Sequence, residues 1–276
     1  MVDRDLLLSF IREDAPYGDI TSEAIIGDGS CKATISTRQK GVIAGMEEAG
    51  ALCCEYNIAV RFEVDDGACA DPGAILLSLS GRARDILLIE RTLLNIIGRM
   101  SGIATLTRRL GAVVSSVNPS CRIACTRKTA PGLRGLDKKA VIIGGGDPHR
   151  FSLSDGILIK DNHLALVPLE EAVLRARKYS RFRTIEVEAE NADSAVRAAI
   201  AGADIIMLDN MSPDGITRTL QELNRRGIRE RVVVEISGGI TESTIARYAG
   251  LGADVISLGI LTHSVQNLDV SLEVIR

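Results

Sequence analysis

The chain has 276 residues, of which 46% are hydrophobic and 25% charged, and its formal net charge at pH 7 is -3. This length fits one large domain or two ordinary ones, and the composition is typical of a folded protein rather than a disordered chain. The near-neutral charge, the absence of tryptophan and the 3% aromatic content exclude a general nucleic-acid-binding surface.

The N-terminal part of the chain mixes helical and strand patterns. Residues 1–25 fit an amphipathic helix followed by a turn at YGDITSE, because their apolar residues recur at helical spacing. Residues 31–80 contain short alternating segments separated by glycine and aspartate, which predict antiparallel strands. Residues 84–117 are helical in pattern, and Gly98 together with Ser101-Gly102 predicts a break into two helices.

After residue 120, β-rich segments alternate with helical ones. Six segments predict strands, namely RIACTRK, DGILIK, TIEVEAE, ADIIMLD, RVVVEISGG and ADVISLG. Alternating strands and helices predict parallel strands joined by crossover helices, as in a TIM-type barrel. Since only six strands are clear, we expect an open or irregular barrel. A doubly wound fold is disfavoured, because the chain has neither the dinucleotide fingerprint nor a Walker loop.

In such a barrel the active site lies at the carboxyl ends of the strands. Nearly every predicted strand ends in charged or glycine-rich sequence, with Arg127, Lys128, Lys160, Glu186, Glu188, Asp209, Glu235 and Gly259 at or near these ends. The basic stretch TRKTAPGLRGLDKKAVIIGGGDPHR adds His149 and Arg150. Lys138 and Lys139 of that stretch are interpreted as solvated, because they lie beside Asp137 within a helix. This convergence predicts an enzyme that binds a small anion.

Each group of residues at these strand ends indicates a chemistry. Arginine side chains such as Arg127 bind carboxylates through two parallel hydrogen bonds. The sequence SGGI beginning at Ser237, followed by a predicted helix, offers backbone N–H groups to a phosphate. Glu188 and Asp209 suit Mg²⁺ or sugar hydroxyls, and ion pairs with Arg127 or Lys160 are the alternative. Lys160 fits an anion clamp or, alternatively, a Schiff-base nucleophile.

Cysteine usage and hydropathy indicate the compartment. None of the six cysteines forms a C-x-x-C pair, so neither a zinc ribbon nor a disulfide framework is expected, and Cys121 and Cys125 are interpreted as buried thiols. The N-terminal apolar run is too short for a signal peptide, and no run of about 18 apolar residues could span a membrane. We expect a cytoplasmic protein with reduced thiols whose partners include neither membrane nor nucleic acid.

The basic stretch, together with SDGILIKDNHLAL, TIEVEAEN, AGADIIMLDNMSP, VEISGGI and ISLGILTHSVQNLDVSL, resembles quinolinate phosphoribosyltransferase, also called carboxylating nicotinate-nucleotide pyrophosphorylase. The segments EDAPYGDITSEAII, DDGACADPGAILLSLSG and ERTLLNIIGRMSGIATLT resemble it too. The resemblance therefore covers nearly the whole chain, with the motifs in the expected order. It implies an α/β fold with an N-terminal α/β sandwich domain at 1–110 and a C-terminal open TIM-like α/β barrel at 111–264. We expect the tail 265–276 to pack back on the first domain.

The resemblance also implies the reaction and its participants. Quinolinate and phosphoribosyl pyrophosphate would give nicotinate mononucleotide, pyrophosphate and CO₂, with Mg²⁺ and no tightly bound organic cofactor. A homodimer, with a higher homo-oligomer left open, would share its active sites between subunits.

The family resemblance implies a role for each site residue. Arg127, Lys128, His149 and Arg150 would hold quinolinate, with Arg91 supplied by the partner subunit. Lys128, Lys160, Glu188 and Asp209 would be catalytic, and Glu188 and Asp209 would also hold the metal. Phosphoribosyl pyrophosphate would contact Lys160, Glu188, Asp209, Ser237, Gly238, Gly239, Gly259 and His263.

Three other functions stay open at this point. A related phosphoribosyltransferase of molybdenum-transport operons shares the TRK sequence and the His-Arg pair and would use another small anionic acceptor. A phosphate-binding aldolase would use Lys160 as its nucleophile. An anion sensor would bind without turnover and would not need the carboxylates of Glu188 and Asp209.

Overall fold

The computed structural model describes residues 2–275. By its internal contacts the chain divides into two compact units. The first unit contains the residues up to 108, residues 131–145 and the residues from 265 onward, and the second contains 109–130 and 146–264. Residues 131–145 thus group with the first unit, whereas the predicted bounds place them in the second domain.

The elements are named in chain order. The first part of the chain forms α1 (Arg4–Asp14), α2 (Ile20–Ile25), β1 (Ser30–Thr37), β2 (Gly41–Val42), α3 (Met46–Glu55), β3 (Ala59–Phe62), β4 (Cys69–Ala70), β5 (Ile75–Arg82) and α4 (Ala83–Ser115). The middle part forms β6 (Arg122–Ala124), α5 (Arg134–Ile143), β7 (Ile157–Ile159), α6 (Asp161–Leu164), α7 (Leu169–Tyr179), β8 (Ile185–Ala189) and α8 (Ala192–Ala201). The last part forms β9 (Ile205–Asp209), α9 (Pro213–Arg225), a 3₁₀ turn (Arg229–Arg231), β10 (Val233–Ser237), α10 (Ile245–Ala249), β11 (Val255–Ser257), α11 (Ile260–His263) and β12 (Val270–Ile275).

The first unit contains a four-stranded antiparallel sheet of order β12-β1-β5-β3 and a small β2-β4 pair. Strand β1 alternates in burial, and its buried Ala33 and Ile35 lie in the apolar core, as expected for a strand with one covered face. Strand β12 pairs with β1 from Lys32↔Ile275 to Thr37↔Val270. The C-terminal strand therefore completes the sheet that the N-terminal strand begins.

The N-terminal helix agrees with its sequence pattern, and the following segment does not. Helix α1 buries Leu7 and Ile11, the apolar stripe that the spacing predicts. The turn predicted at YGDITSE is only partly correct, because α2 starts within it at Ile20. The Asp19 side chain accepts the backbone N–H groups of Thr21 and Ser22, so it satisfies the first free donors of that helix.

The break predicted at Gly98 and Gly102 is wrong, because α4 is one helix of 33 residues. A Cβ atom at Gly98 would lie 2.9 Å from the carbonyl oxygen of Leu268, and one at Gly102 would overlap the carbonyl oxygen of Gln266. These glycines therefore allow the C-terminal segment to approach the helix backbone closely. Glycine costs about 1 kcal/mol in a helix interior, which the surrounding packing of α4 outweighs.

The interpretation of Lys138 and Lys139 as solvated is also wrong. Lys138 is 1% exposed and Asp137 is fully buried on α5. Arg99 Nε and Nη2 donate to the two carboxylate oxygens of Asp137, at 2.7 and 3.0 Å. Lys139 pairs with Glu47 and with Glu48. These charges anchor α5 within the first unit, which explains why residues 131–145 group there.

The second unit confirms the six predicted strands. They form one parallel sheet of order β6-β11-β10-β9-β8-β7, with helices α7, α8 and α9 at the predicted places in the connections. Strands β6 and β7 are consecutive in the chain and occupy opposite edges, and no ladder joins them within residues 2–275. The sheet is therefore an open barrel, as predicted. Asp147 forms an isolated parallel bridge with Ala124 and so lies beside the free edge of β6.

Two further expectations concern compartment. Cys121 and Cys125 are buried and form no disulfide within residues 2–275, and burial raises the pKa of the Cys121 thiol to about 11. Within residues 2–275, every helix is too short or too polar to cross a membrane.

The surroundings of two helical glycines, one in α4 and one in α5, predict opposite effects of alanine on stability. Gly102→Ala is expected to destabilise the protein by about 1–3 kcal/mol, the usual cost of an added methyl group in a packed interior. Gly135→Ala in α5 is the matched control, because no atom lies within 4 Å of its Cβ position and alanine favours helix. Urea unfolding measures both, and equal stability of the two variants would contradict this account of the helix.

Candidate active site

A cavity of about 480 Å³ opens at the carboxyl ends of the parallel strands. Ten of the residues predicted for the site line it, namely Arg127, Lys128, His149, Arg150, Lys160, Glu188, Asp209, Ser237, Gly238 and Gly239. Asp161, Asn210 and Glu235 line it as well. The second unit by itself therefore gathers cationic, anionic and glycine-rich elements around one space.

Strand register explains the convergence. Glu188 on β8 and Glu235 on β10 both pair with Met207 on β9, so these three side chains point to one face of the sheet. Ser237 likewise pairs with Asp209. Because neighbouring parallel strands end together, residues 19 to 47 positions apart in sequence become neighbours at this rim.

Arginine side chains form one wall of the cavity. Arg127 is half-buried, and its buried Nε has no hydrogen-bond partner among residues 2–275. Arg150 donates from Nη1 to the carbonyl oxygen of Gly156 at 3.3 Å. Burial, and then the charge of Arg127, lower the pKa of Arg150. Two guanidinium groups that share a half-buried wall and keep free donors are suited to a carboxylate ligand.

Lys160 and Glu188 form an ion pair at the carboxyl ends of β7 and β8. This is the pairing considered as the alternative role of Glu188. The Glu188 side chain is 11% exposed and that of Lys160 is 43% exposed, so the lysine reaches out from a buried carboxylate. Asp209 accepts a hydrogen bond from Asn210 Nδ2 at 2.7 Å and lies on the strand next to Glu188.

The glycine loop after β10 requires glycine at both positions. Gly238 has φ +98° and Gly239 has φ +62°, values that glycine adopts without strain. A Cβ at Gly238 would also lie 2.6 Å from the backbone nitrogen of Asn210. The helix predicted directly after SGGI begins later, since α10 starts at Ile245. The loop thus offers backbone N–H groups without an adjacent helix N-terminus.

The remaining predicted residues lie elsewhere. Gly259 and His263 do not line the cavity, but a Cβ at Gly259 would lie 2.8 Å from His263 Cδ2 and 3.5 Å from Lys128 Cδ. The carbonyl oxygen of Lys128 accepts a hydrogen bond from Thr262 Oγ1 at 2.9 Å. Both contacts tie the α11 segment to the Lys128 loop. Arg91 is exposed on α4 in the first unit.

His149 is held by two buried glutamates. Its Nε2 lies 3.5 Å from Glu186 Oε2 and 3.3 Å from Glu235 Oε2. Its Nδ1 accepts the backbone N–H of Arg150 at 2.8 Å. Glu186 and Glu235 are 4% and 3% exposed, and Oε1 of each has no hydrogen-bond partner among residues 2–275.

Opposing effects act on the protonation of His149. Burial alone would lower the pKa of His149, but the hydrogen bonds and charges of Glu186 and Glu235 raise it from 6.5 to about 10. Burial also raises the pKa of Glu186. The amide hydrogen that Nδ1 accepts opposes the rise in the pKa of His149, because a protonated Nδ1 could not accept it. This hydrogen bond therefore favours a neutral ring whose proton lies on Nε2 and faces the two carboxylates.

Two groups of residues could hold a metal ion. Ligand atoms of His149, Glu186 and Glu235 lie within 4.8 Å of one another. However, a metal-bound imidazole normally donates a hydrogen from its second nitrogen, whereas Nδ1 of His149 accepts one. Glu188 and Asp209 provide oxygen ligands on adjacent strands and line both the main cavity and a neighbouring one of about 310 Å³. This donor set fits a hard cation such as Mg²⁺.

Sequence reasoning did not assign a role to Glu186 or Glu235. It placed Glu186 on the same face as Glu188 and Glu235 at a strand end, but the histidine that they contact belongs to a loop whose path no periodicity describes. A signal was nevertheless present, because a carboxylate at an inward position of an otherwise apolar strand needs a partner.

Comparison with known proteins agrees with this geometry. Residues 103–273 match the C-terminal domain of quinolinate phosphoribosyl transferase, and residues 19–101 match its N-terminal domain. The chain is 50% identical over 273 residues to a probable nicotinate-nucleotide pyrophosphorylase [carboxylating] of Methanothermobacter thermautotrophicus, covering 98% of both proteins. It is 35% identical to the corresponding Rattus norvegicus protein, covering 96% of this chain and 88% of that one.

Solved structures give the same result. The nicotinate-nucleotide pyrophosphorylase of Ehrlichia chaffeensis has a TM-score of 0.93 and 33% identity, with 100% of this chain and 99% of that chain covered. That of Francisella tularensis has a TM-score of 0.90 and 35% identity, with 100% and 98% covered. By sequence over both domains and by fold, the chain belongs to the quinolinate phosphoribosyltransferase family.

Proposed function

We propose that this chain transfers the phosphoribosyl group of phosphoribosyl pyrophosphate to quinolinate and decarboxylates the product. The products are nicotinate mononucleotide, pyrophosphate and CO₂, and the reaction belongs to NAD biosynthesis. The observation that carries the proposal is the single cavity in which an arginine wall faces a pair of carboxylates and a glycine loop. Both substrates are polyanions, which this arrangement suits.

Quinolinate would bind along the cationic wall. Arg127 and Arg150 supply planar donors for its two carboxylates, and Lys128 supplies a third cation beside them. Each charge-assisted hydrogen bond contributes about 1.5–3 kcal/mol, so a dianion gains more from this wall than a monoanion does. The unpartnered Nε of Arg127 supports a ligand at this position.

Phosphoribosyl pyrophosphate would occupy the opposite side of the cavity. Ser237, Gly238 and Gly239 present a hydroxyl group and backbone N–H groups to the ribose phosphate, with Gly259 and His263 on the neighbouring segment. Lys160 would hold the pyrophosphate group. Glu188 and Asp209 would contact the ribose and stabilise the positive charge that develops on it as the bond to pyrophosphate breaks.

The chemistry then needs placement more than a strong base. The bond between ribose C1′ and the pyrophosphate oxygen breaks, and C1′ bonds to the ring nitrogen of quinolinate. The ring nitrogen becomes cationic, so it can accept the electron pair left when the adjacent carboxylate departs as CO₂. A proton from solvent then takes the place of that carboxylate on the ring carbon. Fixed cations and exclusion of water favour these steps.

We propose that Glu188 and Asp209 hold Mg²⁺ when phosphoribosyl pyrophosphate is bound. A bound Mg²⁺ would neutralise charge on the leaving pyrophosphate. The residues themselves would contribute by fixing two carboxylates at adjacent strand ends. No tightly bound organic cofactor is needed for this chemistry. Because no disulfide joins the cysteines among residues 2–275, we also propose a cytoplasmic location.

The aldolase alternative is less well supported. Its nucleophile would be an unprotonated amine, whereas the Lys160 side chain is engaged in an ion pair with Glu188. The sensor alternative leaves the pair Glu188 and Asp209 without a role. The molybdenum-operon relatives would differ in the acceptor, which the first experiment below decides.

We further propose a homodimer, in which Arg91 of each subunit completes the quinolinate site of the other. Arg91 is exposed on α4, and a site for a dianion would gain one more guanidinium from it.

The first prediction from the proposed function concerns the acceptor. With Mg²⁺ and phosphoribosyl pyrophosphate, the protein should form nicotinate mononucleotide from quinolinate, with a kcat/KM for nicotinate at least about 100-fold lower because one carboxylate is missing. Chromatography of the product measures both rates. Equal turnover of the two acids would contradict the assigned role of the arginine wall, and no product from either would favour another acceptor or the sensor.

The second prediction concerns the metal. Glu188→Gln and Asp209→Asn should each raise the Mg²⁺ concentration needed for half-maximal rate by about tenfold, since each removes a charged oxygen ligand. Initial rates across a Mg²⁺ series measure this, and Glu230→Gln is the control, because Glu230 is an exposed glutamate in the 3₁₀ turn before β10. An unchanged Mg²⁺ requirement in both site variants would place the metal elsewhere.

The third prediction concerns the shared site. Arg91→Ala and Lys160→Ala should each be nearly inactive alone. After mixing and subunit exchange, a mixed dimer should hold one intact site, which restores about a quarter of the wild-type activity. If the mixture stays as inactive as its components while exchange is verified, Arg91 acts within its own subunit.

A further inference from the structure

The Glu186–His149–Glu235 cluster separates two cavities of the second unit. His149, Arg150 and Glu235 line both the main cavity and a second cavity of about 270 Å³. The second cavity is lined by residues from the amino ends of the strands, including Ile157, Ile205 and Val233. The cluster therefore forms the floor of the main cavity.

The loop that carries His149 is fixed at its backbone. Asp147 pairs with β6, because its N–H donates to Ile123 O at 2.8 Å and its carbonyl oxygen accepts the N–H of Cys125 at 3.0 Å. Asp147 Oδ1 also accepts the N–H of His149 at 2.9 Å. His149 itself has φ +52°, a conformation that is uncommon and unfavourable for a residue with a side chain.

The ring of His149 then connects the glutamates to Arg150. One ring nitrogen faces the two carboxylates and the other accepts the Arg150 N–H. With both nitrogens engaged, the ring can neither rotate nor exchange tautomers without losing a hydrogen bond. A strained backbone persists where surrounding contacts hold it in place, and these contacts come from two different strands.

We propose that Glu186 and Glu235 are positioning residues for the phosphoribosyl transfer, which fix the ring of His149 and through it the orientation of Arg150 in the arginine wall. This rests on the proposed function only for the identity of the substrate. The two glutamates do not need to touch quinolinate, since they act on Arg150, which does. Their negative charge also offsets the repulsion between Arg127 and Arg150 before a substrate carboxylate arrives.

The chain is well suited to a direct test of the ring. It contains three histidines, so ¹⁵N-histidine labelling gives three sets of ring signals, and His149→Asn identifies the set of interest. At pH 7.5 the wild type should show one fixed tautomer for His149, with the proton on Nε2. Glu235→Gln should change these signals. Glu48→Gln is the matched control, because Glu48 is another glutamate that is 2% exposed, located in the first unit.

Kinetics tests the consequence for the substrate. Glu186→Gln and Glu235→Gln should each raise the KM for quinolinate by about tenfold, with kcat and the KM for phosphoribosyl pyrophosphate within about threefold of wild type, as expected when ground-state binding is lost. In a protein that already carries His149→Asn, Glu235→Gln should raise the KM for quinolinate by less than about a further twofold, because Glu235 acts through the His149 ring. Glu186→Asp and Glu235→Asp provide further variants should a glutamine variant fail to fold, and thermal unfolding identifies such a failure.

Two results would overturn the proposal. One is that the His149 ring of the wild type exchanges between its two tautomers, or that its ¹⁵N signals do not change in Glu235→Gln. The other is a kcat that falls, and a KM that rises for both substrates, by similar factors in the glutamate variants. Effects of Glu235→Gln and His149→Asn on the KM for quinolinate that multiply fully in the double variant would also overturn it. The ring measurement does not depend on turnover. A fixed tautomer in a protein that does not use quinolinate would therefore refute the proposed function and leave the positioning of His149 and Arg150 intact.

Discussion

The second unit depends on the balance of buried charge within its open barrel. Like charges placed close together in a half-buried pocket repel, and the repulsion is strong where water is excluded. Here carboxylates and cations alternate along the barrel interior. Glu186 lies near the amino end of β8, and Glu235 and Glu188 lie level with each other on either side of Met207. Glu188 pairs with Lys160, and Glu186 and Glu235 contact His149 beside Arg150. These carboxylates lower the cost of a cationic wall in a chain of net charge -3.

The open sheet makes room for this arrangement. Because β6 and β7 lie at opposite edges, no ladder between them closes the barrel among residues 2–275. Asp147 occupies the place of a strand residue beside Ala124, and His149 and Arg150 follow at once. The missing closure thus delivers two site residues from a loop to the interior, where a strand would deliver only alternate side chains.

The sequence predicted those features that follow from local periodicity and from the geometry of parallel sheets. The six strands, the crossover helices and the gathering of Arg127, Lys160, Glu188 and Asp209 are of this kind, since strand ends coincide wherever the strands pair in parallel. The failures depend on distant partners. Gly98 and Gly102 are helix breakers by propensity, and only the segment at 266–268 explains why α4 continues through them. Lys138 is buried and not solvated as its sequence context predicts, because its burial depends on how α5 packs. The helix predicted directly after Gly239 starts only at Ile245.

The polar groups left unsatisfied in this site are themselves informative. Arg127 Nε and one oxygen each of Glu186 and Glu235 are buried without hydrogen-bond partners among residues 2–275, at a cost of about 1–3 kcal/mol for each such group. A protein selected for stability alone would have satisfied or removed them. An incoming carboxylate can accept the N–H of Arg127 Nε. The free-energy cost of leaving this group unpaired is then removed, so it favours binding of quinolinate. The two glutamate oxygens cannot be satisfied in the same way, because a dianion would repel them, and their cost is offset instead by the contacts of the same carboxylates with the His149 ring. By the positioning proposal, the same cluster places its carboxylates at the floor of the cavity and holds Arg150 in the arginine wall through the His149 ring.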